Sequence, residues 1–306
     1  MQLSLFSISY AGFWGQHRLS LPEFIGKAAE LGFDAVMLAG KRPHVSPLDM
    51  TEEQLQPLRG TLAEHRVRCD VIAAYTDLAG GPAAEVPHLE MQVAYVESLA
   101  RIASRLGARF VRVFTAYETP GRTAGTLWRQ VVTTLQEMSD RAAAHGVTIA
   151  VQNHHDVGVH TDSLLELLHD VDRPNCRLGF DAWSPALRGE DLYVAARKAA
   201  PFTVITTSAD YVRLPRFVYQ PELINYVPAQ PDLVRAVPFG DGFIDYKAFF
   251  AGLRDGGFNG IATFEMCSPI RGGGSLENLD CYASRYVTWM KDHGFAIEGR
   301  GGNAAK

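Results

Sequence analysis

Along this chain an amphipathic stretch with helical spacing repeatedly ends in glycine and gives way at once to a short apolar, β-branched run. Leu31-Gly32-Phe33-Asp34 precedes AVMLA, Leu106-Gly107-Ala108-Arg109 precedes FVRVF, and His145-Gly146 precedes VTIAV. Gly256-Gly257-Phe258-Asn259-Gly260 precedes IATFE in the same way. Glycine just past a helix end tolerates the left-handed cap, and an unbroken apolar run suits a strand buried on both faces. Helix, glycine and strand in repetition mean parallel βα units.

The pattern predicts strands over Leu3–Tyr10, Asp34–Ala39, Cys69–Tyr75, Arg109–Ala116, Thr148–His154, Arg177–Ala182, Thr203–Ser208 and Gly260–Cys267. Between them it predicts helices over Leu21–Leu31, Thr51–His65, Pro87–Leu106, Thr123–His145, Asp162–Asp170, Asp191–Ala199, Asp245–Asp255 and Glu277–Lys291. Eight strands alternating with eight helices read as an α/β fold, a single-domain (β/α)8 TIM barrel over residues 1–295, followed by a flexible tail at 296–306. The alternative is a doubly wound open sheet. Its dinucleotide form needs GxGxxG after the first strand, and YAGFWGQH does not supply it. Asp210 to Gly242 interrupts the alternation with a long stretch rich in Tyr, Pro and Phe. Read as a structureless loop, it is either a lid or an arm to a second copy, which makes a homo-oligomer one of the two outcomes.

Composition narrows the partners. The chain has 306 residues and a formal net charge of -5, which gives no reason to expect nucleic acid or an anionic membrane surface. It contains no run of about 18 apolar residues, the length that spans a bilayer. MQLSLFSISYAG lacks a basic leader and its first cation is Arg18, so it reads as a first strand and not a signal peptide. The four cysteines form no CxxC pair, which points to a reduced, cytoplasmic protein.

In such a barrel the active site gathers where the strands' C-terminal ends meet. The fifth strand contributes Gln152 and His154, two apart and so on one face. The sixth contributes Asp181 in LGFDAW, the seventh Thr206, Thr207 and Ser208, and the eighth Glu265 in IATFEMC. Each has an ordinary alternative: Glu265 paired with an arginine, Asp181 capping a loop, His154 a satisfied interior histidine. Their coincidence on consecutive strand ends points to a site. Two carboxylates, an amide oxygen and an imidazole suit Mg2+, Mn2+ or Zn2+.

The stretch VPFGDGFIDYKAFFAGLRDGGFNGIATFE (Val237–Glu265), with GVTIAVQNHHD and LGFDAW, resembles the xylose isomerase-like TIM-barrel family of sugar phosphate isomerases and epimerases. The resemblance implies a divalent metal held by Glu, Asp, His and Glu on the last four strands, and those positions fall on Gln152, Asp181, Thr207 and Glu265. Gln152 and Thr207 depart from the pattern, as does Ala209, where the family has lysine. The resemblance also implies a pair of glutamates as acid and base on opposite faces of the reacting carbon. An amide at 152 takes no proton, so His154, with an ordinary histidine pKa near 6.5, stands as the replacement.

Further candidates surround this set. Arg271, before a glycine run leading to a helix, offers a cradle for phosphate or carboxylate. Trp14, His17, Trp183 and Thr207 are candidate sugar contacts, while His44 and His155 read as loop residues. The leading expectation is a metal-dependent isomerase or epimerase acting on a ketose, inosose or related keto-sugar through an enediolate, with Glu265 and His154 moving protons. The alternative is a lyase, a dehydratase or an enzyme eliminating a C-glycoside from a keto-glycoside. A metal-free sugar-binding or scaffold protein is the third.

Overall fold

A computed structural model describes residues 1–81 and 85–297. Eight parallel strands close into a barrel: β1 (Gln2–Phe6), β2 (Ala35–Ala39), β3 (Arg68–Ala73), β4 (Phe110–Val113), β5 (Thr148–Gln152), β6 (Cys176–Gly179), β7 (Thr203–Ser208) and β10 (Ile261–Phe264). Their order around the ring is β1-β10-β7-β6-β5-β4-β3-β2, sequential apart from closure between β1 and β10. Eight helices match the predicted ones within a few residues: α1 (Leu21–Glu30), α2 (Glu52–Glu64), α3 (His88–Leu106), α4 (Ala124–Ala143), α5 (Thr161–Val171), α7 (Leu192–Ala199), α8 (Tyr246–Asp255) and α9 (Leu276–Asp292).

The local chemistry explains those ends. Ser20 and Thr51 form capping boxes with Glu23 and Gln54, and Thr123, Asp191, Asp245 and Ser275 each accept a backbone N–H of the helix they open. Gly107, with φ +75°, closes α3. The main core lies between the sheet and the helices, and a smaller cluster, including Met37, Val71, Phe110, Ile205 and Ile261, fills the barrel interior.

Three expectations change. Several strands stop short of their apolar runs: β1 ends at Phe6, and Ser7–Tyr10 form a 3-10 turn. Those residues stay buried because the rim replaces ladder bonds with side-chain ones. Ser7 Oγ accepts Ala39 N–H at 2.9 Å, and Ser9 Oγ accepts Met266 N–H at 2.8 Å. A short helix, α6 (Trp183–Arg188), follows β6. The stretch read as a structureless loop is an antiparallel hairpin, β8 (Asp210–Gln220) and β9 (Asn225–Val237). Leu214, Phe217, Val218, Tyr219, Leu223, Ile224, Tyr226 and Leu233 are exposed on it. Of the expected tail, residues 298–306 lie outside the described residues, while Ile297 N–H still donates to the Met1 carbonyl. Among the described residues no helix is long and apolar enough to cross a membrane.

Asp210 anchors the hairpin. Its carboxylate accepts the N–H groups of Tyr211, Gly240 and Gly242, each at 2.9 Å, tying both ends of the excursion to the rim. Gly242 is needed for this approach, since a Cβ there would overlap the Asp210 carboxylate. We expect Asp210→Ala to cost about 2–4 kcal/mol in urea denaturation, because it strands three N–H donors. Asp210→Asn, which keeps one acceptor oxygen, should cost less.

Candidate active site

The C-terminal ends of the barrel strands surround a cavity of about 430 Å³. Its wall includes Phe6, Trp14, Tyr75, Arg112, Phe114, Gln152, His154, His155, Glu265 and Cys267. Aromatic faces with a few convergent polar groups are the usual makeup of a small-molecule site.

Gln152 ends β5 and is buried, turning its amide nitrogen inward. Nε2 donates to Asp181 Oδ2 at 2.5 Å and to Thr207 Oγ1 at 3.0 Å. Asp181 and Thr207 therefore sit behind Gln152 and do not line the cavity. Asn153 braces the same spot: its Oδ1 accepts Asp181 N–H at 2.8 Å and its Nδ2 donates to the Asp181 carbonyl at 2.9 Å. Asp181 Oδ1 has no hydrogen-bond partner among the described residues. Burial pushes the Asp181 carboxyl up to about 7; the nearby Glu265 adds to the rise, and the Gln152 hydrogen bond opposes it.

Glu265, just past β10, lines the cavity. Burial raises its pKa, opposed by the Arg112 charge and by the Cys267 thiol, which donates to Oε1 at 3.4 Å. His154 packs on Phe114 with ring centres 4.6 Å apart. The expectation of an ordinary histidine fails here. Burial, the adjacent His155 and Arg112 lower the His154 pKa to about 4, so the ring is neutral at pH 7.

The sequence reading missed three residues. His155, treated as a loop residue, takes a positive φ of 69°, stacks on Tyr117 and lines the cavity. Its Nδ1 lies 2.8 Å from His154 Nδ1, and its Nε2 lies 3.1 Å from the Thr76 carbonyl. Lys41 holds its ammonium 3.6 Å from the centre of the Tyr75 ring, and burial, then Arg112, lowers its pKa. Arg112 is only 2% exposed and also lines the cavity. Its signal was present as a lone cation within the apolar FVRVF.

The remaining candidates scatter. Trp14 lines the cavity with a positive φ of 53°. His17 is exposed, and its N–H donates to the Gly274 carbonyl at 2.7 Å. Trp183 packs on Tyr211 with ring centres 4.1 Å apart. Arg271 is exposed and outside the cavity wall, and its carbonyl is held by Asn278 and Tyr282.

These residues do not fit the divalent metal expected at Gln152, Asp181 and Glu265. Gln152 turns its N–H, and not its carbonyl oxygen, toward Asp181, so the two do not present lone pairs to one point between them, and Gln152 lines the cavity where Asp181 does not. Thr207 supplies a neutral hydroxyl already bonded to that amide. Among the described residues no three His, Cys, Asp or Glu side chains cluster to hold an ion.

The sequence model for the xylose isomerase-like TIM barrel matches residues 25–292. The 3-dehydroshikimate dehydratase of Bacillus anthracis is 23% identical over 265 residues, 83% of this chain and 88% of that protein. An inosose dehydratase of Lacticaseibacillus casei is 26% identical over 148 residues, 45% of this chain and 46% of that one. The D-psicose 3-epimerase of Clostridium cellulolyticum H10, solved with D-tagatose, superposes with a TM-score of 0.73 at 15% identity. That match covers 97% of this chain and all of the epimerase, and at this identity it shows a shared fold.

The raised Asp181 pKa has a defined sign. The folded chain holds this proton up to about pH 7, whereas an unfolded aspartate releases it near 3.9. The stabilisation from Asp181 is therefore present below the unfolded pKa and is lost as pH rises through about 7. We expect Asp181→Asn to flatten the fall in urea-denaturation stability between pH 5 and about pH 8. An unchanged slope would place the charge loss elsewhere.

Proposed function

Because the chain belongs to the xylose isomerase-like TIM-barrel family, we propose that it is an enzyme that enolises a polyhydroxylated carbonyl compound and expels water from the carbon β to the carbonyl. The observation that carries this reading is Glu265, the carboxylate set deep in the cavity with its pKa raised by burial. Asp77, the other carboxylate on the wall among the described residues, accepts the N–H groups of Ala79 and Tyr117 on Oδ1, which fixes it to the loop beside the cavity. The fifth-strand position, where a second base would stand, is an amide bonded to Asp181.

One carboxylate suits elimination. Glu265 takes the proton α to the carbonyl, and the C–H electron pair moves into an enolate. The enolate re-forms the carbonyl as the C–O bond at the β carbon breaks. The proton on Glu265 passes to the departing hydroxyl, so water leaves and the carboxylate is restored. Neutral His154 lies in the same wall, able to hydrogen-bond a substrate hydroxyl, while Trp14 and Phe114 cover apolar faces of a ring. The dehydratases among the curated relatives support this choice over the isomerase expected from the sequence.

Epimerisation is the second reading. It is favoured by His154, a second proton acceptor in the same cavity, and by the shared fold with a sugar 3-epimerase. The depressed His154 pKa makes it a weak partner for Glu265.

The two part in one experiment: incubation with inososes, 3-dehydroshikimate and ketohexoses in D2O, followed by proton NMR. Dehydration removes a carbinol proton and yields an unsaturated or deoxy product, whereas epimerisation yields a deuterated isomer. Binding without either change would leave a sugar-binding protein. We expect Glu265→Gln to lower kcat by about 10²–10⁴ without loss of fold, the usual range for a general base. The wild-type rate should rise with pH through the elevated Glu265 pKa, because the base acts as carboxylate.

A further inference from the structure

Arg112 points inward from β4, where its in-register neighbours are Ala73 on β3 and Ala150 on β5. Those two small side chains leave room for the guanidinium inside the barrel. It lies over Phe114 at 4.0 Å, with Tyr75 at 5.2 Å and Phe6 at 5.7 Å, an aromatic surround that suits a cation.

A structural arginine at this depth would have its donors and its charge satisfied. This one does not. Nη1 donates to the Ala74 carbonyl at 2.9 Å, while Nε has no partner among the described residues. No carboxylate of the described residues lies within 4.0 Å as an ion-pair partner. Holding a buried charge this way is expensive unless something else compensates it. The cavity that Arg112 lines also holds Glu265, the base of the proposed reaction. Enolisation places negative charge on the former carbonyl oxygen, and a fixed cation in a water-poor site is the effective way to stabilise it. The position usually given to a metal is meanwhile taken by the Gln152–Asp181–Thr207 hydrogen bonds.

We propose that Arg112 supplies the positive charge for the developing oxyanion, and that the site works without a divalent cation. This rests on the enolising reading, because an oxyanion must form for Arg112 to meet. Guanidinium fits the role, having forked donors suited to planar oxyanions and a charge that persists at any working pH.

The test uses oxalate, a planar dianion with the shape of an enediolate, and Mn2+ alone. Chelator-treated full-length protein should retain no stoichiometric Mn2+ in equilibrium dialysis at free concentrations up to about 0.1 mM. In EDTA it should bind oxalate by calorimetry. Arg112→Met should weaken that binding about tenfold to a hundredfold, the scale of one charged hydrogen-bonding partner. Arg112→Lys should fall between, and near-UV circular dichroism checks both variants for native packing. One equivalent of Mn2+ retained by the wild type overturns the proposal, and this arm needs no variant to fold. Oxalate binding that is absent in EDTA, or unchanged in Arg112→Met, also overturns it. If both arms come out as expected while no substrate exchanges its α-proton, the reaction assignment fails, the oxyanion role falls with it, and what stands is a metal-independent anion site at Arg112.

Discussion

Closing eight short parallel strands into a ring fixes every inward side chain at a level inside a space that water barely reaches, and the rest of the molecule answers to that constraint. Each strand gains two neighbours and no free edge. Apolar residues fill the lower levels, with Val71, Phe110, Ile205 and Ile261 among them. Polar groups admitted higher up must then satisfy one another, because desolvation there is costly.

Part of the polar set at the C-terminal end meets that demand, while Asp181 Oδ1 and Arg112 Nε keep no partner among the described residues. Gln152 bonds Asp181 and Thr207, and Asn153 bonds the Asp181 backbone on both sides. This set takes up the Gln152 amide nitrogen and one Asp181 carboxylate oxygen. Glu265 and Arg112 stand outside it, facing the cavity. Burial raises the carboxyl pKa, and the guanidinium, pulling the other way, keeps it from rising further. A base strengthened by burial and a nearby fixed cation are complementary parts for making an enolate.

The hairpin is governed by the opposite balance. Its base is buried, with Tyr211 on Trp183 and Asp210 gathering three backbone N–H groups. Its outer half exposes Phe217, Ile224 and Tyr226. The barrel rim thus holds the arm firmly at one end, while a two-stranded ribbon has too little surface to bury both of its own faces.

The sequence by itself determined the barrel, because glycine-capped helices followed by unbroken apolar strands are local patterns that any tertiary arrangement must respect. It also placed Gln152, His154, Asp181 and Glu265 at strand ends, since a period of two and chain order suffice for that. It did not determine which way the Gln152 amide turns, that Asp181 lies behind it, or that His154 is held near pKa 4. Those are set by desolvation and by partners up to 55 residues distant in the chain. The hairpin was missed because its alternation is broken by prolines, and its pairing rests on long-range ladder bonds across a bulge. Arg112 was visible as a letter in FVRVF, but only closure of the ring, with Ala73 and Ala150 beside it, turned that letter into a buried cation facing Glu265.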